Sequence, residues 1–207
     1  KISSFTHDNG HINTRATLVL CPSHLTKQWQ REIEKCNPLF QTVIITTKPT
    51  HLSVTYNDII NADFVIVSFQ FLTNMNHYIP YQYEKVTPSL LTTKFNDRIS
   101  KYKEIIKLKT NNKDNIKNLL NENGPLLEIF HWDRVGVDEG HEIFGELSTT
   151  NSTVIVNNYL KQWMINIDAK YRWYISGTPF SHKKGFTTAM QYLNLYTYKK
   201  INIGDMT

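Results

Sequence analysis

Five short, mostly apolar runs constrain this chain more than any other feature of its sequence. They are Ala16–Cys21, Thr42–Thr46, Phe64–Ser68, Arg134–Asp138 and Arg172–Ser176. A strand with one wet face alternates apolar and polar residues, whereas a short continuous apolar run suits a strand buried on both faces. Between the runs lie stretches with helical spacing. Leu25, Trp29, Ile33 and Cys36 share one helix face, with Ser23 as the expected cap and Pro38 as the stop. Further helices are expected over about 57–62, 154–167 and 183–195. Strands alternating with helices predict an α/β fold: a mostly parallel sheet with helices on both faces, hence three layers.

One region breaks the rhythm. From about residue 76 to 127 no strand candidate occurs, and a bare loop of ~50 residues inside a compact domain is unusual. Phe95, Ile99, Tyr102 and Ile106 recur at helical spacing among Arg98, Lys101, Lys103 and Lys107. The reading is a helical insertion over about 76–127 with a frayed Asn/Lys-rich part near 110–118. The lysines read as a solvated face, and Trp29, Trp132, Trp163 and Trp173 as core.

Composition excludes some classes. With 40% hydrophobic and 12% aromatic residues, the 207-residue chain can fill a core. No run of about 18 apolar residues is present, so no membrane-spanning helix or membrane partner is expected. Two cysteines, Cys21 and Cys36, cannot build a disulfide framework, and no Cys/His quartet has zinc-ligand spacing. A reducing compartment is expected, nuclear, cytoplasmic or viral. A net charge of +5 and a pI near 9.1 are compatible with phosphate-bearing partners. Of the eight histidines, only His141 has a partner that the sequence suggests.

The chemistry concentrates in two segments. Asp138-Glu139-Gly140-His141 follows a buried strand, at the end where open α/β sheets place their ligands. A carboxylate there can hold Mg²⁺ through its water shell, and a second one beside it can take a proton from attacking water. Taken alone, the pair is weak evidence and reads first as a solvated turn. About 35 residues on, Ser176-Gly177-Thr178-Pro179 follows another strand and offers hydroxyl donors in a close-approaching loop, able to contact a carboxylate or histidine on the neighbouring strand end; alone it reads as a plain turn.

In order and together, these segments resemble helicase superfamily two, and within it the Swi/Snf-type DNA translocases. Asp138-Glu139-Gly140-His141 looks like the family's Walker B box, and Arg172–Pro179 like motif III with Ser176 in place of Thr. Thr17–Trp29 is similar to motif Ia, and Asp63–Phe69 occupies the place of motif Ib. Phe130–Arg134 and the insertion before it resemble the post-replication-repair subgroup. The resemblance spans about residues 16–196. It implies a RecA-like lobe using ATP and Mg²⁺, with double-stranded DNA and a second RecA-like lobe of the same protein as partners. It implies that Asp138 holds Mg²⁺ through water and Glu139 activates water. His141, with the motif III residues Ser176, Gly177, Thr178 and Pro179, would couple hydrolysis to DNA grip. Pro22, Ser23, Lys27 and Ser68 would lie near a nucleic-acid backbone.

The family's Gly-x-x-x-x-Gly-Lys-Ser/Thr phosphate loop does not occur in the 207 residues. Its family position is upstream of motif Ia, before Lys1. The expectation is therefore a partial lobe over 1–207 from a longer enzyme, inactive alone. The competing readings are another superfamily-two helicase, restriction-type or RNA, and a non-catalytic nucleic-acid-binding scaffold that has lost its phosphate loop.

Overall fold

The computed structural model describes residues 6–7, 9–74, 77–78, 97–104, 106–107, 113–144, 151–178 and 183–195. Six strands join in one sheet: β1 (Ile12–Asn13), β2 (Thr17–Cys21), β3 (Thr42–Ile45), β4 (Phe64–Ser68), β5 (Phe130–Asp138) and β6 (Ala169–Ile175). β6 pairs β5, β5 pairs β2, β2 pairs β4 and β4 pairs β3, all parallel. β1 adds to the first two residues of β5, also parallel. The C-terminal ends of β2, β4, β5 and β6 therefore lie along one edge.

The apolar runs divide between two faces, as burial on both sides requires. Leu18, Leu20, Val65 and Val67 enter the larger core, while Val19, Cys21 and Ile66 enter a smaller one. Helix α1 (Thr26–Cys36) covers the smaller core with Ile33, flanked by Leu25 and Trp29. Short helices α2 (Lys48–Leu52) and α3 (Tyr56–Asn61) start at Thr47 and Thr55, each in a reciprocal capping box. Helix α4 (Phe69–Leu72) follows β4, α5 (Lys113–Leu120) lies within the insertion, and α6 (His141–Phe144) follows β5. The larger core is closed by Tyr159, Leu160, Trp163 and Met164 of α7 (Asn151–Asn166), with Ala189 and Tyr192 of α8 (Lys183–Tyr192). The α/β, mostly parallel architecture expected from the sequence is the one observed.

Several local expectations are corrected. β5 begins at Phe130 rather than Arg134, because Phe130 and Trp132 are fully buried and the Trp132 N–H donates to the Asp168 carbonyl. Ser23 does not cap α1. A 3₁₀ turn (Ser23–Leu25) intervenes, and Leu25 stands at the N-cap without a side-chain bond. Residues 113–120 are helical rather than frayed, anchored by buried Leu119. Trp132 and Trp163 are core, but Trp173 is 59% exposed on β6 and Trp29 is only half-buried. Much of the 76–127 insertion lies outside the described residues; residues 97–104 are helical, and Ile99, Tyr102 and Ile106 pack on the larger core.

A buried charge ties that insertion down. Glu128 is fully buried, 3.1 Å from the Arg98 guanidinium, and accepts hydrogen bonds from Tyr78 Oη and Trp163 Nε1. Removing one partner of such a pair strands a charge in the core. Arg98→Met is expected to lower unfolding stability by about 3–5 kcal/mol in urea titration. The double variant Arg98→Met/Glu128→Gln, which leaves no bare charge, recovers part of the loss.

The turn after β5 is fitted as closely. The Gly140 N–H donates to the Ile175 carbonyl, and a Cβ at 140 would stand 2.4 Å from the Tyr174 ring. That ring is stacked on Phe144 at 5.6 Å and cannot retreat freely. Gly140→Ala should therefore cost about 1–3 kcal/mol by overpacking. The same substitution in a Tyr174→Leu background should cost less, as urea unfolding of the four proteins will show.

Candidate functional site

The edge built by the strand ends holds two adjoining groups of polar side chains. The first lies across β5 and β6, whose register pairs Asp138 with Ile175. The Asp138 carboxylate is half-buried; Oδ2 accepts the Trp29 indole N–H at 2.8 Å, and Oδ1 accepts the Glu139 N–H at 2.9 Å. Both donors are neutral, so the carboxylate keeps lone pairs for metal-bound water. That donor set suits Mg²⁺, a hard cation that retains much of its hydration. Burial first, and then the Asp138 charge, push the Cys21 thiol up to about 12, which leaves this buried cysteine protonated and inert.

Glu139 has φ +52°, left-handed backbone that a non-glycine residue adopts only under constraint. The bonds that impose it are the Asp138 side chain before it and the Glu142 N–H donating to its carbonyl after it, at 2.9 Å. Glu139 Oε2 then lies 3.1 Å from His141 Nδ1. The same nitrogen lies 2.8 Å from Ser176 Oγ, which also accepts the Thr178 N–H at 3.2 Å. One imidazole nitrogen thus stands between two oxygens. When Nδ1 carries a proton it donates towards Glu139 and Ser176; when bare it accepts the Ser176 hydroxyl proton and faces the Glu139 carboxylate unfavourably. Tyr174 closes this group from the side, and burial followed by the Glu139 charge raises its pKa.

The second group lies where β2 and β4 end, Cys21 opposite Ser68. Ser23 is exposed, and its N–H and hydroxyl both donate to Gln70 Oε1, at 3.0 and 2.7 Å. Pro22 is buried, and Lys27 is exposed on the first turn of α1. Ser68 is fully buried, and its Oγ accepts the Phe71 N–H as the cap of α4. Its hydroxyl faces the fold, and Gln70 is the exposed polar side chain that follows it two residues on.

The sequence-predicted residues therefore fall into two clusters on one edge: Asp138, Glu139, His141, Ser176 and Thr178, and Pro22, Ser23 and Ser68. Gly177 and Thr178 are exposed, and a side chain at 177 would meet nothing within 4 Å. Pro179 lies outside the described residues. Two participants were not singled out from sequence. Gln70 carries no motif, and Trp29 reads as one more apolar residue on a helix face until the fold brings its N–H to Asp138.

Comparison with curated proteins returns no match. Among solved structures, the chain is similar to the Sulfolobus solfataricus SWI2/SNF2 ATPase core in complex with double-stranded DNA. That match has 15% identity and a TM-score of 0.49, and covers 86% of this chain. The chain spans 25% of the length of that structure's chain. Residues 3–202 match the SNF2-related domain family. The match takes in both strand ends, both polar clusters and nearly the whole chain, which belongs to the SNF2-related domain family.

Proposed function

We propose that this chain is the greater part of the first RecA-like lobe of an intracellular ATPase that couples hydrolysis to movement along double-stranded DNA. The observation that carries the reading is the 2.8 Å contact between His141 and Ser176, which links the Asp138–Glu139 strand end to the loop after β6. In a member of this family, that contact joins a nucleotide-facing carboxylate pair to a segment able to answer to DNA.

Bound Mg²⁺–ATP would supply the electrophilic phosphoryl group and the charge neutralisation its transfer requires. Asp138 would hold the metal through water, oriented by the Trp29 indole. Glu139 would take the proton of the attacking water, its left-handed backbone aiming the carboxylate away from the strand. His141 would sense that proton, because a change at Glu139 alters which oxygen its Nδ1 serves. Ser176 would pass the change to Gly177 and Thr178. Ser23, Gln70 and Lys27 would meet the phosphate backbone with hydroxyl, amide and ammonium groups, with Pro22 and Ser68 fixing the loop and turn beneath them. Such contacts carry no base information, so binding would be sequence-independent and weakened by salt.

The 207 residues contain no phosphate loop, so the lobe alone is expected to turn over no ATP. In the protein carrying this lobe with its second lobe, ATP hydrolysis should rise strongly with duplex DNA. Stimulation by RNA alone would reassign it to another superfamily-two branch, and no turnover in folded protein would make it a scaffold. Glu139→Gln should reduce turnover to background while ATP and DNA binding stay near wild type; near-normal hydrolysis would remove Glu139 from its role. Ser176→Ala should keep basal hydrolysis and lose most of the stimulation by duplex, read by comparing rates with and without DNA.

A further inference from the structure

At the opposite edge of the sheet, where β5 and β6 begin, lies a cluster that the translocase reading does not use. Its frame is an N-terminal hairpin. Thr6 bridges Ile12 antiparallel, the His7 N–H donates to the His11 carbonyl at 2.8 Å, and Gly10 makes the turn at φ +83°. The hairpin runs into β1, which pairs Asn13 with His131 at the start of β5. Asp168 immediately precedes β6, next to Trp132 through the Trp132 N–H bond to its carbonyl. Three segments distant in sequence thus converge on one carboxylate.

The side chains are arranged as a ligand set. One donor atom from each of His7, His131 and Asp168 lies within 4.8 Å of the other two, and all three residues are half-buried. The His7 and His131 rings stack with centroids 4.0 Å apart and planes 19° from parallel. His131 Nδ1 lies 2.9 Å from Asp168 Oδ2. The same oxygen accepts the Asn9 side-chain N–H at 2.7 Å and has His11 Nδ1 at 3.2 Å. His11 Nδ1 is in turn 2.8 Å from Asn9 Oδ1. Asn9 and His11 thus hold the carboxylate in place, as the outer partners of metal ligands do. Lys103 is a further positive neighbour of Asp168.

We propose that His7, His131 and Asp168 bind a divalent transition-metal ion of the zinc class. Two imidazoles and a carboxylate are the donors that zinc takes, at ~2.0–2.2 Å, and atoms already within 4.8 Å of one another need only a small closure to reach one ion. Nitrogen-rich donors select zinc, cobalt or nickel over magnesium. The fourth position is left to water. The ion fastens the N-terminal hairpin to the starts of β5 and β6, the two strands whose far ends carry Asp138 and Ser176. Its role is structural, and it is distinct from the Mg²⁺ that would accompany ATP.

Calorimetric titration of the metal-free protein with Zn²⁺ at neutral pH, with Co²⁺ as a spectroscopic stand-in, tests this directly. The expected result is one ion per chain, visible cobalt bands of a low-coordinate nitrogen and oxygen site, and a melting temperature raised by Zn²⁺ and returned by a chelator. His7→Ala, which removes a half-buried ring of the hairpin, should lose the bound ion and the rise in melting temperature with Zn²⁺. His7→Phe, which keeps a stacking ring without a nitrogen ligand, should keep the metal-free melting temperature and lose the ion as well. Asn9→Ala should bind about tenfold more weakly. Absence of Zn²⁺ binding by folded protein overturns the proposal, and so does binding undiminished in His7→Ala, which would place the metal elsewhere, for example at exposed Cys36.

Discussion

The parallel pairing of β5 with β6 is the constraint on which the rest depends. Seven residues of β6 run alongside β5 in unbroken direction, from Trp132 opposite Ala169 to Asp138 opposite Ile175. Because parallel strands share their polarity, whatever follows both strands meets at one edge and whatever precedes both meets at the other. His141 reaches Ser176 for the first reason, and His131 reaches Asp168 for the second. Neither meeting needs long side chains or a dedicated loop. It needs the two strands to hold register, which Arg172 supports by donating from β6 to the Met164 and Ile167 carbonyls at the end of α7. There the guanidinium meets the negative end of the helix and leaves few orphan carbonyls.

What was legible in the sequence follows from the same physics. Strands buried on both faces need no polar alternation, so Thr17–Cys21 and Phe64–Ser68 announce themselves as short apolar runs and end where the sequence places them. Asp138 and Ser176 were legible because polar residues that close such runs stand at strand ends. The first half of β5 was not, since His131, Asp133 and Arg134 interrupt its apolar pattern, and the strand is held there by β1 and β6 rather than by composition. The helix over 113–120 hid for the complementary reason: its polar surface reads as loop, and packing of Leu119 decides the matter.

Side-chain partnerships across long separations were the least legible. Trp29 and Asp138 are 109 residues apart, and Asn9 and Asp168 are 159 apart. No spacing rule connects such pairs, because their proximity is a product of the fold. The histidines illustrate this. His51, without a visible partner in the sequence, lies with Nε2 2.9 Å from the Pro125 carbonyl and Nδ1 2.9 Å from His77 Nε2; burial lowers its pKa below the ordinary 6.5. It is a neutral core histidine, whereas His141 is more open and shares its nitrogen between two oxygens.

That sharing marks the difference between the two ends of β5. At the beginning of the strand, one carboxylate oxygen collects several nitrogen neighbours, and every contact favours a negative Asp168 beside positive or metal-like charge. Hydrogen bonds from Asn9 and His131 outweigh the opposing effect of burial and keep the Asp168 carboxyl below the usual carboxylate range. Such an arrangement has one preferred state and serves as an anchor. At the end of the strand, one nitrogen is offered two oxygens, a carboxylate and a hydroxyl: with a proton it can donate towards either, and without one it can serve only the hydroxyl. A nitrogen shared in this way has more than one way to be satisfied, which suits the coupling role proposed for His141. The register between the strands separates the two arrangements: it sets the starts of both strands beside Asp168 and the ends of both beside His141 and Ser176.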